Sequence, residues 1–200
     1  MMRLEFEPFP VLETSRLILR RFRLADASDL FEMRSNPDML DYSDGRVDEY
    51  LEDTIKYIKL INTGIDKKKW INWAIVNRLS NRVIGSINIW NFGEEEVDNK
   101  ILKKAEIGYG LNPNYHNLGL MSEAIKVVID YGFNAIFLDK IEIWTERRNL
   151  PSIKLVEKNG FKFLKEVRED GYYKKHHVFN MRVYELKRED IWVWFIMILH

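Results

Sequence analysis

The stretch "AEIGYGLNPNYHNLGLMSEAIKVVIDYGF", residues 105–133, decides the fold. Its first seven residues read as a strand whose alternation places Glu106, Gly108 and Gly110 on one face. Asn112–Pro113 then begins a turn, one glycine follows, and from Leu120 the rhythm is that of an amphipathic helix. A helix N-terminus presents unpaired N–H groups and about half a positive charge, so it holds a phosphate when the preceding backbone can come close. Gly119 permits that approach, and Asn117 tolerates the unusual dihedrals such a loop needs. An ordinary loop and cap is the plain alternative. The chain has no G-x-x-x-x-G-K-[ST], and no G-x-G-x-x-G follows the strand.

On either side of this unit the pattern is that of one α/β domain. "RLILRRFRL" (16–24) reads as a strand and "ADASDLFEMRSN" (25–36) as a short helix ending at Asn36–Pro37. "VDEYLEDTIKYIKLINTG" (47–64) puts Val47, Leu51, Ile55, Ile58 and Ile61 on one helical face and stops at Gly64. "WINWAIVN" (70–77), "RVIGSINIWNF" (82–92) and "ILKKAEIGYGL" (101–111) form three antiparallel strands, the last two joined by the acidic loop "GEEEVDN". Trp70, Trp73 and Trp90 are read as core packing. Beyond the central helix come the strand "KIEIWTE" (140–146), a helix from Leu150 to Asn159 stopped by Gly160, and a closing hairpin of "FKFLKEVRE" and "KKHHVFNMRVYEL" about a turn at Asp170–Gly171. The order β-α-α-β-β-β-α-β-α-β-β predicts a mixed, mostly antiparallel sheet flanked by helices.

Composition excludes several functions. Thirty-one basic residues balance thirty-one acidic ones in a chain of 200, so no overall field draws it to nucleic acid or an anionic membrane. Cysteine is absent, which removes disulfides, thiolate metal sites and a cysteine nucleophile together. Four histidines at 116, 176, 177 and 200 make no ligand pair, so no metal is expected. The charged N-terminal stretch "MMRLEFEPFP" lacks the apolar core of a signal peptide, which predicts a cytoplasmic protein. "IWVWFIMIL" (191–199) is apolar but well short of the ~20 residues that span a bilayer. It reads as cover for an apolar patch on this subunit or on a homodimer partner, with membrane contact or an origin foreign to the native protein as the alternatives.

The segment "AEIGYGLNPNYHNLGLMSEA" resembles the signature of the GCN5-related N-acetyltransferases (GNAT), whose strand, pyrophosphate loop and helix bind acetyl-CoA. "NLPSIKLVEKNGF" (149–161) is similar to that family's downstream N-x-x-[AS]…E-K-x-G-F segment. With "LETSRLILRRF" (12–22), the three matches resemble the branch of the ribosomal-protein alanine and serine N-acetyltransferases (RimJ/RimL-like). The resemblance covers about residues 11–186, as the N-acetyltransferase domain, with 1–10 a lead-in and 187–200 an apolar tail. It implies cofactor contacts from Ile107, Gly108 and Tyr109 on the strand, from His116, Asn117, Leu118, Gly119, Leu120, Met121 and Ser122 around the loop, and from Asn149. His116, Asn117 and Met121 depart from the pattern, and Met121 predicts less room for the pyrophosphate.

Acetyl transfer to an amine needs a neutral amine, a donor for the developing oxyanion and a proton for the departing thiolate. An α-amino group titrates near ~7.7–8 and a lysine near ~10.4, so an α-amine needs only mild help from a base. Glu106, flanked by apolar residues, is expected to have a raised pKa suited to that task, and the resemblance implies the same role; a strand ion pair is the alternative. Many members of the family have a tyrosine as acid where this chain has Val156, and the resemblance points instead to Ser152, which could equally cap its helix. Backbone N–H groups near Tyr109 are assigned to the oxyanion. Tyr50, Tyr172 and Tyr173 are candidate walls of the acceptor site, with Glu169 and Asp170 as amine-attracting charges. The acceptor is expected to be a protein N-terminus or a small amine such as a polyamine or aminoglycoside; a non-catalytic acyl-CoA-binding domain is the rival reading.

Overall fold

The computed structural model describes residues 4–5, 7–42, 44–171, 173–175 and 177–191. They form one eight-stranded sheet, ordered β1-β2-β3-β4-β5-β6-β8-β7, with four α-helices. The strands are β1 (Leu12–Glu13), β2 (Leu17–Arg20), β3 (Ile71–Asn77), β4 (Val83–Val97), β5 (Lys100–Leu111), β6 (Lys140–Glu146), β7 (Lys162–Asp170) and β8 (Val178–Lys187). The helices are α1 (Ala27–Arg34), α2 (Leu51–Asp66), α3 (Leu120–Asn134) and α4 (Leu150–Lys158). Every neighbouring pair is antiparallel except β5 and β6.

Alternation along the strands sorts the core into two layers. Ile71, Trp73, Ile87, Ile89, Ala105 and Ile107 join Val128 and Phe133 of α3 and Ile153 and Val156 of α4. Ala74, Val76 and Val83 point the other way and meet Leu30 of α1 and Ile58, Ile61 and Ile65 of α2. Burying each such aliphatic side chain contributes about 1.5–3 kcal/mol, so both helix layers are held mainly by apolar contact. Ahead of α1, the Asp26 carboxylate accepts two hydrogen bonds from the Arg20 guanidinium, at 2.8 and 2.7 Å, and one from the Arg23 N–H at 2.7 Å. This tie ends β2 at Arg20, so the strand expected over 16–24 is shorter and pairs with the unexpected β1.

Three other expectations are corrected. The helix placed over 47–64 begins at Leu51, with Tyr50 as its N-cap, and passes through Gly64 to Asp66. Gly64 is there for contact rather than termination: a Cβ would stand 2.0 Å from the Trp70 indole. The acidic segment "GEEEVDN" is not a loop; β4 and β5 stay paired as far as Val97↔Lys100. Asp98 and Asn99 alone make the turn, at φ 49° and 60°, which fits the twist of a two-residue hairpin. The closing hairpin is present, but β8 starts at Val178 and the connection spans 171–177, closed by the Gly171 N–H donating to the His177 carbonyl at 2.8 Å.

Candidate active site

The site lies where β5 and β6 part. Their parallel ladder runs only from Lys104↔Lys140 to Glu106↔Glu142. Beyond it, Ile107–Leu111 and Ile143–Glu146 no longer pair with each other, which leaves a slot whose backbone groups can meet an extended ligand. At the end of β5 the chain turns through Asn117 (φ 60°) and Gly119 (φ 75°) into α3, and Gly119 caps that helix without a side-chain hydrogen bond. The N–H groups of Leu120, Met121 and Ser122, at the first turn of α3 next to the slot, therefore have no side-chain cap. Slot and helix end together fit a pantetheine arm leading to a pyrophosphate.

The loop's side chains are mostly engaged elsewhere. Met121 is buried in the core, so it leaves the loop clear, contrary to the expectation that it narrows the space. Leu120 is buried beside it, while Leu118 is exposed. The Ser122 hydroxyl donates to Asn159 Oδ1 at 2.9 Å, joining α3 to the end of α4. The His116 ring turns back to the Leu111 carbonyl, with Nε2 at 2.9 Å. What these residues offer to an anion is thus their backbone.

Glu106 is half-buried on the α2 face of β5 and accepts a hydrogen bond from Asn91 Nδ2 at 2.5 Å. Burial raises its pKa; Asn91 opposes this, the charges of Glu142 and Glu169 push further upward, and Lys104 pulls it back. Glu169 therefore acts on the site at least through its field. Gly108, the next residue on this face, donates its N–H to Asn88 Oδ1 at 3.2 Å, and a Cβ there would sit 3.0 Å from the same oxygen. On the opposite face Tyr109 reaches α4, its hydroxyl 2.8 Å from Ser152 Oγ. Burial pushes the Tyr109 pKa up to about 12, so it is protonated at neutral pH. The Ser152 hydroxyl is therefore paired with a phenol, while the backbone N–H of Ser152 donates to the N-cap Asn149 Oδ1 at 3.1 Å.

The proposed acceptor walls are less closely gathered. Tyr50 is an exposed N-cap. Tyr173, also exposed, donates its N–H to the Asp44 carboxylate at 3.1 Å, joining the β7–β8 connection to the chain ahead of α2. Tyr172 lies outside the described residues, as do 192–200 of the apolar tail. Sequence reading missed Arg16, whose guanidinium donates to the Leu118 carbonyl at 2.9 Å and pairs with Glu123 at 2.6 Å beside the anion loop. It also missed Asn72, Asn88 and Asn91; nothing in the local sequence marks them, because pairing across β3, β4 and β5 brings them to the site. Trp90, expected in the core, is 46% exposed on the Glu106 face.

The sheet thus splits after one short parallel ladder, with a helix end lacking a side-chain cap beside the split. The chain belongs to the GNAT acetyltransferase family: the model of the acetyltransferase (GNAT) domain matches residues 16–162. The protein is accordingly an N-acetyltransferase. It is 33% identical over 153 residues to the uncharacterized N-acetyltransferase YoaA of Bacillus subtilis, covering 76% of this chain and 83% of that one. It is 34% identical over 155 residues to the uncharacterized N-acetyltransferase p20 of Bacillus licheniformis, covering 78% and 83%. In fold it is similar to RimL, a ribosomal L7/L12 α-N-protein acetyltransferase solved with coenzyme A, at TM-score 0.74 and 17% identity over 89% of this chain and 98% of that one. Among the described residues no helix is long and apolar enough to cross a membrane.

Proposed function

We propose that the protein transfers acetyl from acetyl-CoA to a primary amine by direct attack in a ternary complex, with a protein N-terminal α-amine as the favoured acceptor. The observation that carries this reading is the position of Glu106, half-buried and with a raised pKa, at the point where β5 and β6 separate. The likeness to a CoA-bound fold and the uncapped α3 N-terminus support the cofactor. The fold shared with RimL supports the protein acceptor.

When bound, acetyl-CoA supplies an activated acyl thioester. Asn117, Gly119 and the first turn of α3 would hold its pyrophosphate through backbone N–H groups, with the Arg16 guanidinium, paired with Glu123, alongside. Glu106 takes a proton from the acceptor nitrogen as the new C–N bond forms. Backbone N–H groups near Tyr109 would be the donors for the carbonyl oxygen as charge develops on it. Ser152 would be the residue placed to give a proton to the departing thiolate, with Tyr109 relaying a replacement across the 2.8 Å hydroxyl contact; Tyr109 would regain its proton from solvent, and Glu106 would release its own there. An acetyl-cysteine intermediate is ruled out, since the chain has no cysteine.

The test is calorimetry with acetyl-CoA, followed by thiol release and mass spectrometry over a panel of peptides and small amines. Binding with acetylation of peptide N-termini is expected. Binding without turnover of any amine would overturn the transferase reading of these residues, and acetylation of polyamines alone would overturn the protein acceptor.

A further inference from the structure

Two rows of charge cross the sheet at Glu106. Lys104 of β5 is in register with Lys140 of β6, and Lys140 with Lys187 of β8. Two residues along, Glu106 is in register with Glu142, and Glu142 with Glu185. Residues two apart on a strand share a face, so three lysines and three glutamates stand together on the Glu106 face, like charge opposite like in each row. Each row costs stability unless the other neutralises it, and here the neutralisation is uneven. The Lys140 ammonium is 3.0 Å from Glu142 and 3.9 Å from Glu185, and it also contacts Glu95. Lys104 leans to Glu142 at 3.6 Å, and Lys187 to Glu185 at 3.7 Å. Glu142 accepts a further bond from Trp144 Nε1 at 3.3 Å. Lys140 and Glu142 are 4% and 5% exposed, so this central pair is fixed in place. Glu106, at the end of its row, makes no ion pair among the described residues; its partner is the neutral Asn91 amide.

We propose that Glu142 is the positioning residue that makes Glu106 a strong base: locked by Lys140, it keeps a fixed negative charge one strand away on the same face, which favours the protonated form of Glu106. Two carboxylates this close resist being ionised together, and the one without a cation is the one that holds a proton more firmly. The lysines decide which that is. Burial works against the charge on Glu142, but its bonds to Lys140 keep it ionised. Glu106 has no such bond. Burial acts on it first and is opposed by Asn91 from β4; Glu142 from β6 and Glu169 from β7 then add to the effect of burial, and Lys104 from its own strand opposes it. The link between the two glutamates rests on register and ion pairing, and its effect on the rate rests on the reading of Glu106 as the base. A cluster that served stability alone would give no directed change in the proton affinity of Glu106.

The experiment is a pH titration of the Glu106 carboxyl carbon by NMR in the full chain, assigned with Glu106→Gln. Beside it, kcat is followed against pH as thiol release from saturating acetyl-CoA with a peptide beginning with Ala. Glu142→Gln removes the charge and nearly keeps the shape. It should lower the Glu106 midpoint by about one pH unit, carry the acid limb of kcat down with it, and lower the plateau about threefold, because a weaker base accepts the proton less readily. Lys104→Gln, at a partly exposed position, should move midpoint and limb the other way by about half a pH unit. Lys140→Met/Glu142→Leu, which strands no buried charge, should also lower the midpoint, whether or not Glu142→Gln folds. Shifts of opposite sign identify a charge effect, since a loosened sheet would move all the variants alike. An unmoved Glu106 midpoint on losing Glu142, or shifts of one sign in the Glu142 and Lys104 variants, overturns the proposal. Midpoints that part as expected while every kcat profile keeps the wild-type shape would leave the link between Glu142 and Glu106 standing and overturn Glu106 as the base.

Discussion

The Tyr109 and Ser152 hydroxyls are 2.8 Å apart, and they tie β5 to α4 on the side of the sheet away from Glu106. The acid and base candidates are thus on opposite faces of the sheet. Replacing Tyr109 with Phe removes one hydroxyl and keeps the ring. We expect kcat to fall about tenfold with the KM for acetyl-CoA unchanged, and the Tyr109→Phe/Ser152→Ala double variant to be no slower than Ser152→Ala alone. Additive losses in steady-state thiol release would show that the two hydroxyls act separately.

Glu106 has two measurable consequences. The pH–rate profile should show an acid limb above the ordinary glutamate range of ~4.3, and Glu106→Gln should abolish it. Stability should move in the opposite sense to activity. An acid whose pKa is raised on folding destabilises the native state once the pH exceeds its unfolded value. Glu106→Gln should therefore raise Tm at about pH 7.5, with the gain vanishing below about pH 4, by calorimetry at both values.

Lys140 is buried with its ammonium 3.0 Å from Glu142 and in contact with Glu95. Lys140→Met would leave the Glu142 carboxylate with only Lys104 at 3.6 Å and the Trp144 indole as partners, at a cost of up to roughly 3–5 kcal/mol, and Lys140→Met/Glu142→Leu should recover most of it. Urea unfolding of the three proteins checks the sequence of stabilities. Burial works against the charged form of Glu142, but its bonds to Lys140 win and hold its pKa low. That part of the stability is present at neutral pH and lost as the pH falls through the lowered value.

At Gly64 the indole of Trp70 occupies the space of a side chain. Gly64→Ala should destabilise by about 1–3 kcal/mol despite alanine's better helix propensity, because Trp70 also donates to the Ile61 carbonyl at 3.0 Å and cannot easily retreat. An unchanged or raised Tm would show that the indole has room to move.

Local chemistry was readable in the sequence, and cross-strand chemistry was not. The strand 105–111, the loop and α3 could be read because alternation, one glycine and an amphipathic period occur within a single stretch. Gly64 was misread because a glycine that admits an indole and one that ends a helix are identical in sequence. Residues 93–97 hid their strand because glutamates carry little strand propensity; their pairing with Lys100–Lys104 reveals it. Asn72, Asn88 and Trp90 come from two strands and acquire meaning only through register, so no window along the chain could group them. Ser152 was found by position, but its partner Tyr109 comes from 43 residues away.

The parallel ladder of three residue pairs also has a mechanical side. Strands β1–β5 and the trio β6, β8 and β7 are zipped to each other only from Lys104 to Glu106, and the teeth above that point stay open. A cofactor arm lying in the slot would act as the missing strand and splice the two halves. Amide hydrogen exchange should consequently slow along Ile143–Glu146 and Ile107–Leu111 when CoA is added, more than in β3. In this sheet, a cofactor loaded into the slot would complete a seam that the polypeptide leaves unsewn.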